Sequence, residues 1–451
     1  MKFKIIHRHP SERLILLFAG WGMDPHPFEN IRRDGYDLAV VWDYRDLSAT
    51  WIGELDRYVE IAVFAWSFGV PAASAFIAAH SSLPVTARIA VNGTAHPVHD
   101  TLGIPTEIFN GTLETLDDRN LVRFYRRMCG GSRSYSEFAK RLPARDTCEL
   151  RDELKAIASR SATPITWDKV YISTADLIIP PDNQRRAWDE EAYEQVELDG
   201  APHLPDFKYL LDSTLTDKQL VESRFRGAAT TYEANATAQR DIADRMLSCV
   251  TPCHRILEIG PGTGYATSRL ADLGEVEAWD LALTPAVESL AAEGRITARA
   301  CDAETTLRHL PSGSVDLLFS ASTVQWFNSL PAFLRETERV LAPGGKALIS
   351  TFSPLTMAEI HSVIGSTPRF PSTEAIRRMI PSARVTEEEL SLCFPSPADA
   401  LRHVRLTGVN SLGAATSPAA TRRLLDGYPL TTDGKARLTY RPVYITLHRP
   451  L

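Results

Sequence analysis

Two glycine-marked transitions from an apolar strand to a helix, far apart in the chain, most constrain how it can fold. The first is IAVFAWSFGVPAASAF (residues 61–76), and the second is RILEIGPGTGYATSRLADL (residues 255–273). Each has a short apolar run, a turn of small residues and a helix-forming sequence, as at the start of an α/β domain. The 451 residues are about three times the usual domain length. The sequence therefore predicts two α/β domains, which we place at residues 1–214 and 215–451.

The apolar runs around each transition extend this pattern. In the first half, LILLFAG, IAVFAWS, ARIAVNG and KVYISTAD predict buried parallel strands. A largely helical stretch (residues 103–163) precedes the last of these, which suits a helical cap over the sheet. In the second half, HRILEIG, EVEAWDL, VDLLFSAS and GKALISTF alternate with helical segments, as in a doubly wound sheet. The polar sequence between the halves has little to bury, so we expect a short linker within residues 213–218.

Charge and apolar content argue against several classes of protein. The formal net charge of -7 gives no reason to expect nucleic-acid binding, and no segment approaches the roughly 20 apolar residues that span a bilayer. Of the six cysteines, only Cys249 and Cys253 lie close together, and they lack the second CxxC or the paired histidines of a zinc site. The apolar run at residues 14–19 is too short for a signal peptide. We expect a soluble cytoplasmic protein with reduced thiols and no metal, nucleic-acid or membrane partner.

Ser67 lies at the turn of the first transition and is a candidate nucleophile. A nucleophile elbow needs a strand, a tight turn and a helix, with small residues two positions before and after the serine. Ala65 and Gly69 meet that rule, although glycine is commoner than alanine at the first position. The bare pattern arises by chance in roughly one chain in four of this length. A polar residue at an ordinary turn is therefore the alternative.

Two residues further along complete a series in the chain order of the hydrolases, which is serine, acid, histidine. Asp176 follows the predicted strand KVYISTA, and His203 lies in the loop LDGAPHLPDF before a helix. His203 would take the Ser67 proton, and Asp176 would hold the imidazole tautomer and stabilise its charged form. Asp182 and Asp199 are rival acids, but neither directly ends a strand. A capping or surface histidine is the alternative for His203.

An acyl-transfer site also needs donors for the developing oxyanion. The backbone N–H of Phe68, directly after Ser67, is one candidate. The segment AGWG (residues 19–22), after the first predicted strand, offers a second donor through the backbone of Trp21. A tight loop without a catalytic role is the alternative for that segment.

The second transition places Gly260, Gly262 and Gly264 between a strand and a helix, where backbone can approach a nucleotide-like ligand closely. Asp280 ends the next predicted strand, twenty residues after Gly260, which suits hydrogen bonds to a ribose diol. Asp302, near the following strand end, suits an adenine amino group. Nicotinamide binding is the rival interpretation, because that fingerprint also pairs glycines with an acid about 20 residues further on.

The GxGxG pattern, the preceding Glu258, and the helix, Pro-Gly-Gly turn and strand of RVLAPGGKALIST (residues 339–351) together resemble class I S-adenosylmethionine methyltransferases. The resemblance implies a Rossmann-like fold for the second domain. It also implies S-adenosyl-L-methionine as the cofactor, bound by Glu258, the three glycines, Asp280 and Asp302.

Further motifs are more specific. RFRGAATTYEANATAQ, STVQWF, LRHVRLTGVN and LTYRPVYI resemble BioC, the malonyl-carrier-protein O-methyltransferase of biotin synthesis. FAGWG, FAWSFG, FYRRMCG, DLIIPPDNQ and PH resemble BioG, the pimeloyl-carrier-protein methyl ester esterase, which implies an α/β-hydrolase fold with a helical cap. The resemblances imply a bifunctional enzyme that makes the malonyl methyl ester and hydrolyses the pimeloyl one. They also imply Tyr232 near the transferred methyl group, with Gln325 and Trp326 shaping the pocket. Core packing is the alternative for Trp326.

The partner that the resemblance implies is an acyl carrier protein, which is acidic and calls for local basic patches. The candidate contacts are Arg123, Arg126, Arg127, Arg133, Lys140, Arg141, Arg402 and Arg405. A solvated helix face is the alternative for these residues. Two further hypotheses stay open for the whole chain: a methyltransferase fused to a non-catalytic carrier-binding module, and a small-molecule methyltransferase fused to an unrelated esterase.

Overall fold

The computed structural model describes residues 1–189, 192–365, 370–407 and 418–451. These residues form two units, Met1–Leu215 and Thr216–Leu451, and each contains a hydrophobic core. The last three residues of the motif LRHVRLTGVN lie outside the described residues. No described helix is both long enough and apolar enough to cross a bilayer.

The described strands of the first unit are β1 (Lys2–His7), β2 (Arg13–Phe18), β3 (Asp37–Trp42), β4 (Glu60–Trp66), β5 (Val85–Val91), β6 (Trp167–Ser173) and β7 (Ala192–Leu198). They form one sheet in the order β1-β3-β2-β4-β5-β6-β7. Strand β1 runs antiparallel to β3, and the other neighbours pair in parallel. Every residue of β4 is buried, because helices cover both faces of a parallel sheet.

The four strands predicted from apolar runs are β2, β4, β5 and β6, and β1, β3 and β7 are additional. Strands β1 and β7 lie at the two edges of the sheet. Their sequences, KFKIIH and AYEQVEL, contain charged residues, and part of each strand is exposed. Charged residues are common on edge strands, where they discourage pairing with another chain. The apolar signal that identifies central strands is therefore weak at the edges.

The helices of the first unit are α1 (Gly69–Ala79), α2 (Thr106–Glu114), α3 (Asp118–Met128), α4 (Ser132–Phe138), α5 (Thr147–Ala158), α6 (Pro181–Trp188) and α7 (Phe207–Thr214). Helices α2 to α5 lie between β5 and β6, in the stretch predicted to be largely helical. The side chains of Asp117 and Asp146 accept hydrogen bonds from backbone N–H groups in the first turns of α3 and α5. Aspartate at this position satisfies donors that a helix leaves unpaired.

The described strands of the second unit are β8 (Arg255–Ile259), β9 (Glu275–Asp280), β10 (Thr297–Ala300), β11 (Val315–Ser320), β12 (Leu341–Phe352), β13 (Arg384–Glu387), β14 (Leu390–Phe394), β15 (Ala436–Tyr440) and β16 (Pro442–His448). The larger sheet has the order β10-β9-β8-β11-β12-β16-β13, and β14 pairs with β15. The first five strands are parallel, and β16 is antiparallel to both of its neighbours. Strand order reverses between β8 and β11, where parallel sheets bind ligands beyond their carboxyl ends.

The described helices of the second unit are α8 (Lys218–Asn235), α9 (Thr237–Leu247), α10 (Thr267–Leu270), α11 (Pro285–Ala292), α12 (Ala303–Thr306), α13 (Leu330–Val340), α14 (Ala358–Ile364), α15 (Thr373–Met379), α16 (Pro397–Leu406) and α17 (Pro418–Gly427). Helix α7 continues to Thr214, and α8 begins only four residues later. Leu215 is fully buried and Lys218 is buried as well. The expectation that the sequence around residues 213–218 has little to bury is therefore wrong.

Candidate active sites

Ser67 lies in a left-handed turn between β4 and α1. Its φ of 57° falls in a region that residues other than glycine rarely adopt. Two backbone hydrogen bonds fix the turn: Ser67 N–H donates to Val91 O at 2.9 Å, and Val70 N–H donates to Ser67 O at 3.0 Å. A serine held in this conformation between a strand and a helix has the backbone geometry of a nucleophile elbow.

Close backbone approaches surround the turn. A Cβ atom on Gly69 would lie 2.3 Å from Phe18 O, and one on Gly93 would lie 2.4 Å from Ser67 O. Only glycine fits at these two positions without a shift of the backbone. Ala65 is fully buried beside Phe18 in the sheet, so the methyl group that replaces the commoner glycine is accommodated there.

The structure brings the side chains of Ser67, His203 and Asp176 together in a continuous series. His203 Nε2 lies 2.9 Å from Ser67 Oγ, and His203 Nδ1 lies 2.7 Å from Asp176 Oδ2. The three residues are 6%, 1% and 5% exposed. These distances allow the imidazole to accept the serine proton at one nitrogen while the carboxylate fixes the other nitrogen.

The two rival acids lie elsewhere. Asp182 is exposed and pairs with Arg185 on its own helix. Asp199 accepts a hydrogen bond from Thr174 Oγ1 at 3.3 Å. Of the three candidate carboxylates, Asp176 is the one that contacts His203.

Gln184, the last residue of the motif DLIIPPDNQ, was not predicted as a site residue, but it holds Asp176 in place. Its Nε2 donates to Asp176 Oδ2 at 2.9 Å, the same oxygen that contacts His203. The other carboxylate oxygen accepts hydrogen bonds from the N–H groups of Ile178 and Ile179 at 2.7 and 3.0 Å. The orientation of Asp176 is therefore fixed by three donors besides the imidazole, as expected for a carboxylate that positions a histidine.

The loop that carries His203 is anchored through its own backbone carbonyl. Trp66 Nε1 donates to His203 O at 2.9 Å, and Asn92 Nδ2 donates to the same oxygen at 2.8 Å. Asn92 is fully buried, and its φ is 45°. It follows the end of β5, so it ties the position of His203 to the central sheet.

Two backbone donors lie beside Ser67. The N–H groups of Phe68 and Trp21 have no hydrogen-bond acceptor within the described ranges. The loop that contains Trp21 approaches the serine, because a Cβ atom on Gly20 would lie 3.2 Å from Ser67 Cβ. The Trp21 side chain donates to Leu150 O in α5 at 2.9 Å, which holds this loop against the inserted helices.

The loop between β8 and α10 has a left-handed backbone at Gly260, Gly262 and Gly264, with φ angles of 75°, 55° and 81°. A Cβ atom on Gly260 would lie 2.0 Å from Thr323 Oγ1, so a side chain is excluded there. No atom lies within 4 Å of the corresponding position on Gly262. The loop therefore presents bare backbone to open space at Gly262, as a ligand cradle requires.

A cavity of about 180 Å³ lies between this loop, the end of β9 and one face of α8. Asp280 lines the cavity, and its two carboxylate oxygens accept hydrogen bonds from Gly262 N–H at 3.3 Å and Leu281 N–H at 2.7 Å. Burial raises the pKa of Asp280 to about 6, because removal from water disfavours the ionised form more than these donors favour it.

Glu258 and Gly264 do not line the cavity, although both were predicted to bind the cofactor. Glu258 lies on β8 and is 2% exposed. Burial, with a smaller effect from the neighbouring charge of Asp280, raises the pKa of Glu258 to about 8. Gly264 faces Val287 and Leu290. Both residues lie behind the cavity wall.

Aromatic side chains form another wall of the cavity. Tyr232 and Trp326 line it, and the ring of Phe225 lies 6.1 Å from the first and 5.8 Å from the second. Burial raises the pKa of Tyr232 to about 12, so its hydroxyl stays protonated at neutral pH. Gln325 does not line the cavity; its Nε2 donates to Ser322 O at 2.6 Å. The sequence grouped Gln325 with Trp326, but neighbouring residues in this short turn point to different sides.

Asp302 lines the cavity and is already paired. Its Oδ2 lies 2.6 Å from Lys218 Nζ, and its Oδ1 accepts a hydrogen bond from Glu304 N–H at 3.1 Å. Lys218 comes from the first turn of α8, a contact between distant segments that no motif indicated. An adenine amino group at Asp302 would share the carboxylate with this lysine.

All eight basic residues predicted to contact a carrier protein are exposed. Those of the first unit lie on α3, α4 and the turn after α4, and Arg402 and Arg405 lie on α16. Some have local partners: Lys140 pairs with Glu137, and Arg126 lies over the ring of Tyr135. Exposed positions agree both with a solvated helix face and with a docking surface for a carrier protein.

Comparison with known proteins identifies both halves. Residues 1–208 match the family described as pimeloyl-ACP methyl esterase BioG, and residues 257–349 match a methyltransferase domain. The malonyl-[acyl-carrier protein] O-methyltransferase of Bacteroides fragilis (strain 638R) is 35% identical over 463 residues, which cover 96% of this chain and 92% of that protein. The protein of the same name from Porphyromonas gingivalis is 34% identical over 244 residues, 51% of this chain and 94% of that one. A crystal structure of BioG from Haemophilus influenzae is 33% identical and covers 45% of this chain and 94% of that chain, with a TM-score of 0.41.

The chain is thus a mixed α/β protein that contains a methyltransferase domain. It belongs to the family of the Bacteroides fragilis malonyl-[acyl-carrier protein] O-methyltransferase and carries a BioG domain at its N-terminal end.

A methyltransferase domain implies S-adenosylmethionine as the cofactor, and the groups that line the cavity suit such a ligand. Gly262 presents its backbone without an obstructing atom nearby. Ser322 Oγ and Trp326 Nε1, from two residues that line the cavity, are buried and have no hydrogen-bond partner in the described part of the chain. Buried polar atoms are normally paired, so these two indicate a place for a polar ligand.

Proposed function

We propose that the chain is a bifunctional enzyme of biotin synthesis. The second unit methylates the free carboxyl group of malonyl-acyl carrier protein. The first unit, with an α/β-hydrolase fold and a helical cap formed by α2 to α5, hydrolyses the methyl ester of pimeloyl-acyl carrier protein. The observation that supports the esterase activity is the hydrogen-bonded series of Ser67, His203 and Asp176.

In the esterase site, Ser67 Oγ bonds to the ester carbonyl carbon while His203 Nε2 accepts the hydroxyl proton. The N–H groups of Phe68 and Trp21 stabilise the negative charge on the carbonyl oxygen. His203 then gives the proton to the methoxy oxygen, methanol leaves, and an acyl-enzyme remains. A water molecule attacks the acyl-enzyme with His203 as base, and the carboxylic acid is released from Ser67.

In the methyltransferase site, the cofactor supplies an electrophilic methyl group on a sulfonium sulfur. Gly260, Gly262 and Asp280 are the residues that we assign to its nucleoside, and Asp302 to its adenine. Glu258 and Gly264 support this arrangement from behind the cavity wall. A malonyl carboxylate is ionised at neutral pH, so the chain need not supply a general base for the acceptor.

The remaining task of the second unit is to align the acceptor and exclude water. Tyr232 and Trp326 offer aromatic surface for this purpose, and Phe225 packs against both rings. Gln325 acts from outside the cavity, through its hydrogen bond to the backbone of Ser322.

The two activities do not cancel because their substrates differ in chain length. Methylation hides a carboxylate that an apolar elongation site would otherwise have to desolvate at high cost. The short malonyl ester therefore enters elongation, and the esterase acts on the finished pimeloyl ester and restores the acid.

Both substrates are attached to an acidic carrier protein, which we propose as the partner of each unit. The exposed arginines and lysine of α3, α4 and the following turn serve the esterase, and Arg402 and Arg405 serve the methyltransferase. Contacts between opposite charges speed the association of the enzyme with the carrier protein, and they weaken as salt concentration rises.

The test is to incubate the purified chain with S-adenosylmethionine and malonyl carrier protein, and separately with the methyl ester of pimeloyl carrier protein. Intact-protein mass spectrometry follows the gain or loss of a methyl group. Gain in the first reaction and loss in the second is the expected result. Methylation without ester cleavage favours a non-catalytic carrier-binding module, and no methylation of the malonyl carrier contradicts the assignment to biotin synthesis.

A further inference from the structure

Among the residues that the structure describes, five charged side chains line the cavity of the second unit, and three of them are carboxylates. These are Glu222, Asp280 and Asp302, and the two cations are Lys218 and Arg226. The acceptor of the proposed reaction is itself a carboxylate. Like charges in a partly enclosed site oppose its entry, so binding requires a cation that can turn to it.

Lys218 is already used within the protein. Its Nζ lies 2.6 Å from Asp302 Oδ2 and 2.6 Å from Glu304 Oε2, and its side chain is 4% exposed. Glu304 also accepts hydrogen bonds from the N–H groups of Asn328 and Ser329, ahead of α13. Removing one partner from such a buried pair is costly, so Lys218 neutralises Asp302 and Glu304 in place.

Arg226 has a different environment. Its side chain is 71% exposed, and its Nη2 lies 2.5 Å from Glu222 Oε1, one turn earlier on α8. An exposed ion pair of this kind contributes little to stability, so the guanidinium can exchange one carboxylate for another. Its planar donors match a carboxylate in a two-point contact.

The neighbours of Arg226 suit the reaction. Phe225 adjoins it in the chain and packs against Tyr232 and Trp326, the aromatic residues assigned to the acceptor side. An acceptor carboxylate at Arg226 would therefore lie beside an apolar wall, with Asp280 further along the same cavity. The cation and the aromatic rings come from one helix face and one short turn.

We propose that Arg226 receives the carboxylate of the methyl acceptor and releases Glu222 to do so. The proposal rests on the function proposed for the second unit. Methylation removes the negative charge of the acceptor, so the ester loses its attraction to Arg226, and Glu222 takes back the guanidinium. Arg226 thereby distinguishes the free acid from the ester and favours product release.

The test measures dissociation constants of three carriers, each with the protein saturated with S-adenosylhomocysteine: malonyl carrier, its methyl ester, and carrier with phosphopantetheine alone. We expect Arg226→Gln to weaken binding of the malonyl carrier about tenfold or more, since a charge-assisted contact is lost. Binding of the other two carriers should stay within about twofold. Arg226→Lys should recover part of the loss. Arg377→Gln is the matched control, because Arg377 is exposed, pairs with Glu374 on α15 and lies outside the cavity.

Unchanged S-adenosylhomocysteine binding by Arg226→Gln shows that this variant is folded. Equal weakening of all three carriers would mean that Arg226 contacts the phosphate or the carrier surface, and would overturn the proposal. Unchanged binding of the malonyl carrier would overturn it too. A wild-type protein that methylates no malonyl carrier refutes the proposed function instead, so the two failures are separate.

Discussion

The two candidate sites position their groups in opposite ways. Around Ser67, each reactive side chain is held by another part of the protein: Asp176 by Gln184, and the His203 loop by Trp66 and Asn92. Around the glycine loop, the protein presents bare backbone and leaves Ser322 Oγ and Trp326 Nε1 buried without partners in the described residues. The three side chains of the first site are already paired with one another, whereas the second site leaves two buried side-chain atoms of its cavity lining without partners in the described residues.

This difference predicts that substitutions in the two sites change different quantities. In a pre-organised site, removal of a reacting group lowers kcat, because the lost interaction is made mainly in the transition state. In a site completed by its ligand, damage lowers affinity, because unpaired groups are satisfied on binding.

Ser67→Ala should lower hydrolysis of the pimeloyl ester by roughly 10,000-fold or more, because the attacking oxygen is lost. Methylation of the malonyl carrier should be unaffected. Ser74→Ala is the control, since Ser74 is a buried serine on α1 whose hydroxyl has no hydrogen-bond partner in the described residues. Initial rates of both reactions give the comparison, and persistent ester cleavage by Ser67→Ala would show that another residue is the nucleophile.

Gly260→Ala should weaken S-adenosylhomocysteine binding by about 100-fold or more, because the new methyl group collides with Thr323 and the backbone there is left-handed. Ester hydrolysis should not change. Gly294→Ala is the control: its φ is also positive, at 72°, but no atom lies near the added carbon, and it does not line the cavity. Calorimetry measures the affinity, and equal losses in both variants would attribute the effect to backbone strain alone.

Gln184→Met should lower the kcat of the esterase by about tenfold to a hundredfold and leave KM nearly unchanged, since Asp176 loses a donor that orients it. Gln195→Met, at an exposed position on β7, should leave both constants unchanged. Steady-state kinetics on the pimeloyl ester separates the two constants. A rise in KM with constant kcat would assign Gln184 to substrate binding.

The pKa of Asp280, about 6, makes binding to the second site depend on pH. Below that value the carboxyl group is protonated and accepts hydrogen bonds from ribose hydroxyls less strongly, so affinity falls as pH falls. We expect the dissociation constant of S-adenosylmethionine to rise about fivefold to tenfold between pH 7 and pH 5. Asp280→Asn should bind weakly at both pH values with a flatter profile; a profile as steep as that of the wild type would assign the titration to another group.

The sequence predicts best those strands and turns that are marked by a continuous apolar run or by glycines. The central strands β2, β4, β8 and β11 are such runs, and the ends of parallel strands meet at one edge of a sheet. That rule is why Ser67 and Asp176, which follow β4 and β6, lie near each other. Their catalytic roles stay predictions until the activities are measured.

The sequence could not indicate contacts that depend on the tertiary fold. Gln184 reaches Asp176 only because α6 begins directly after the loop that follows β6, and Lys218 meets Asp302 from a helix 84 residues away. Gln184 ends the motif DLIIPPDNQ, but the motif does not show which atom its side chain contacts, and Lys218 belongs to no motif. Neighbours within a motif also diverge, as Trp326 lines the cavity and Gln325 does not.

The most direct test of two independent sites in one chain is hydrolysis of pimeloyl carrier methyl ester by protein saturated with S-adenosylhomocysteine. The ligand fills the second site and leaves the first untouched. We expect the wild type to cleave the ester at the same rate with and without the ligand, and Ser67→Ala to show no measurable cleavage. An ester that stays intact with the wild-type protein would contradict an esterase site in the first unit.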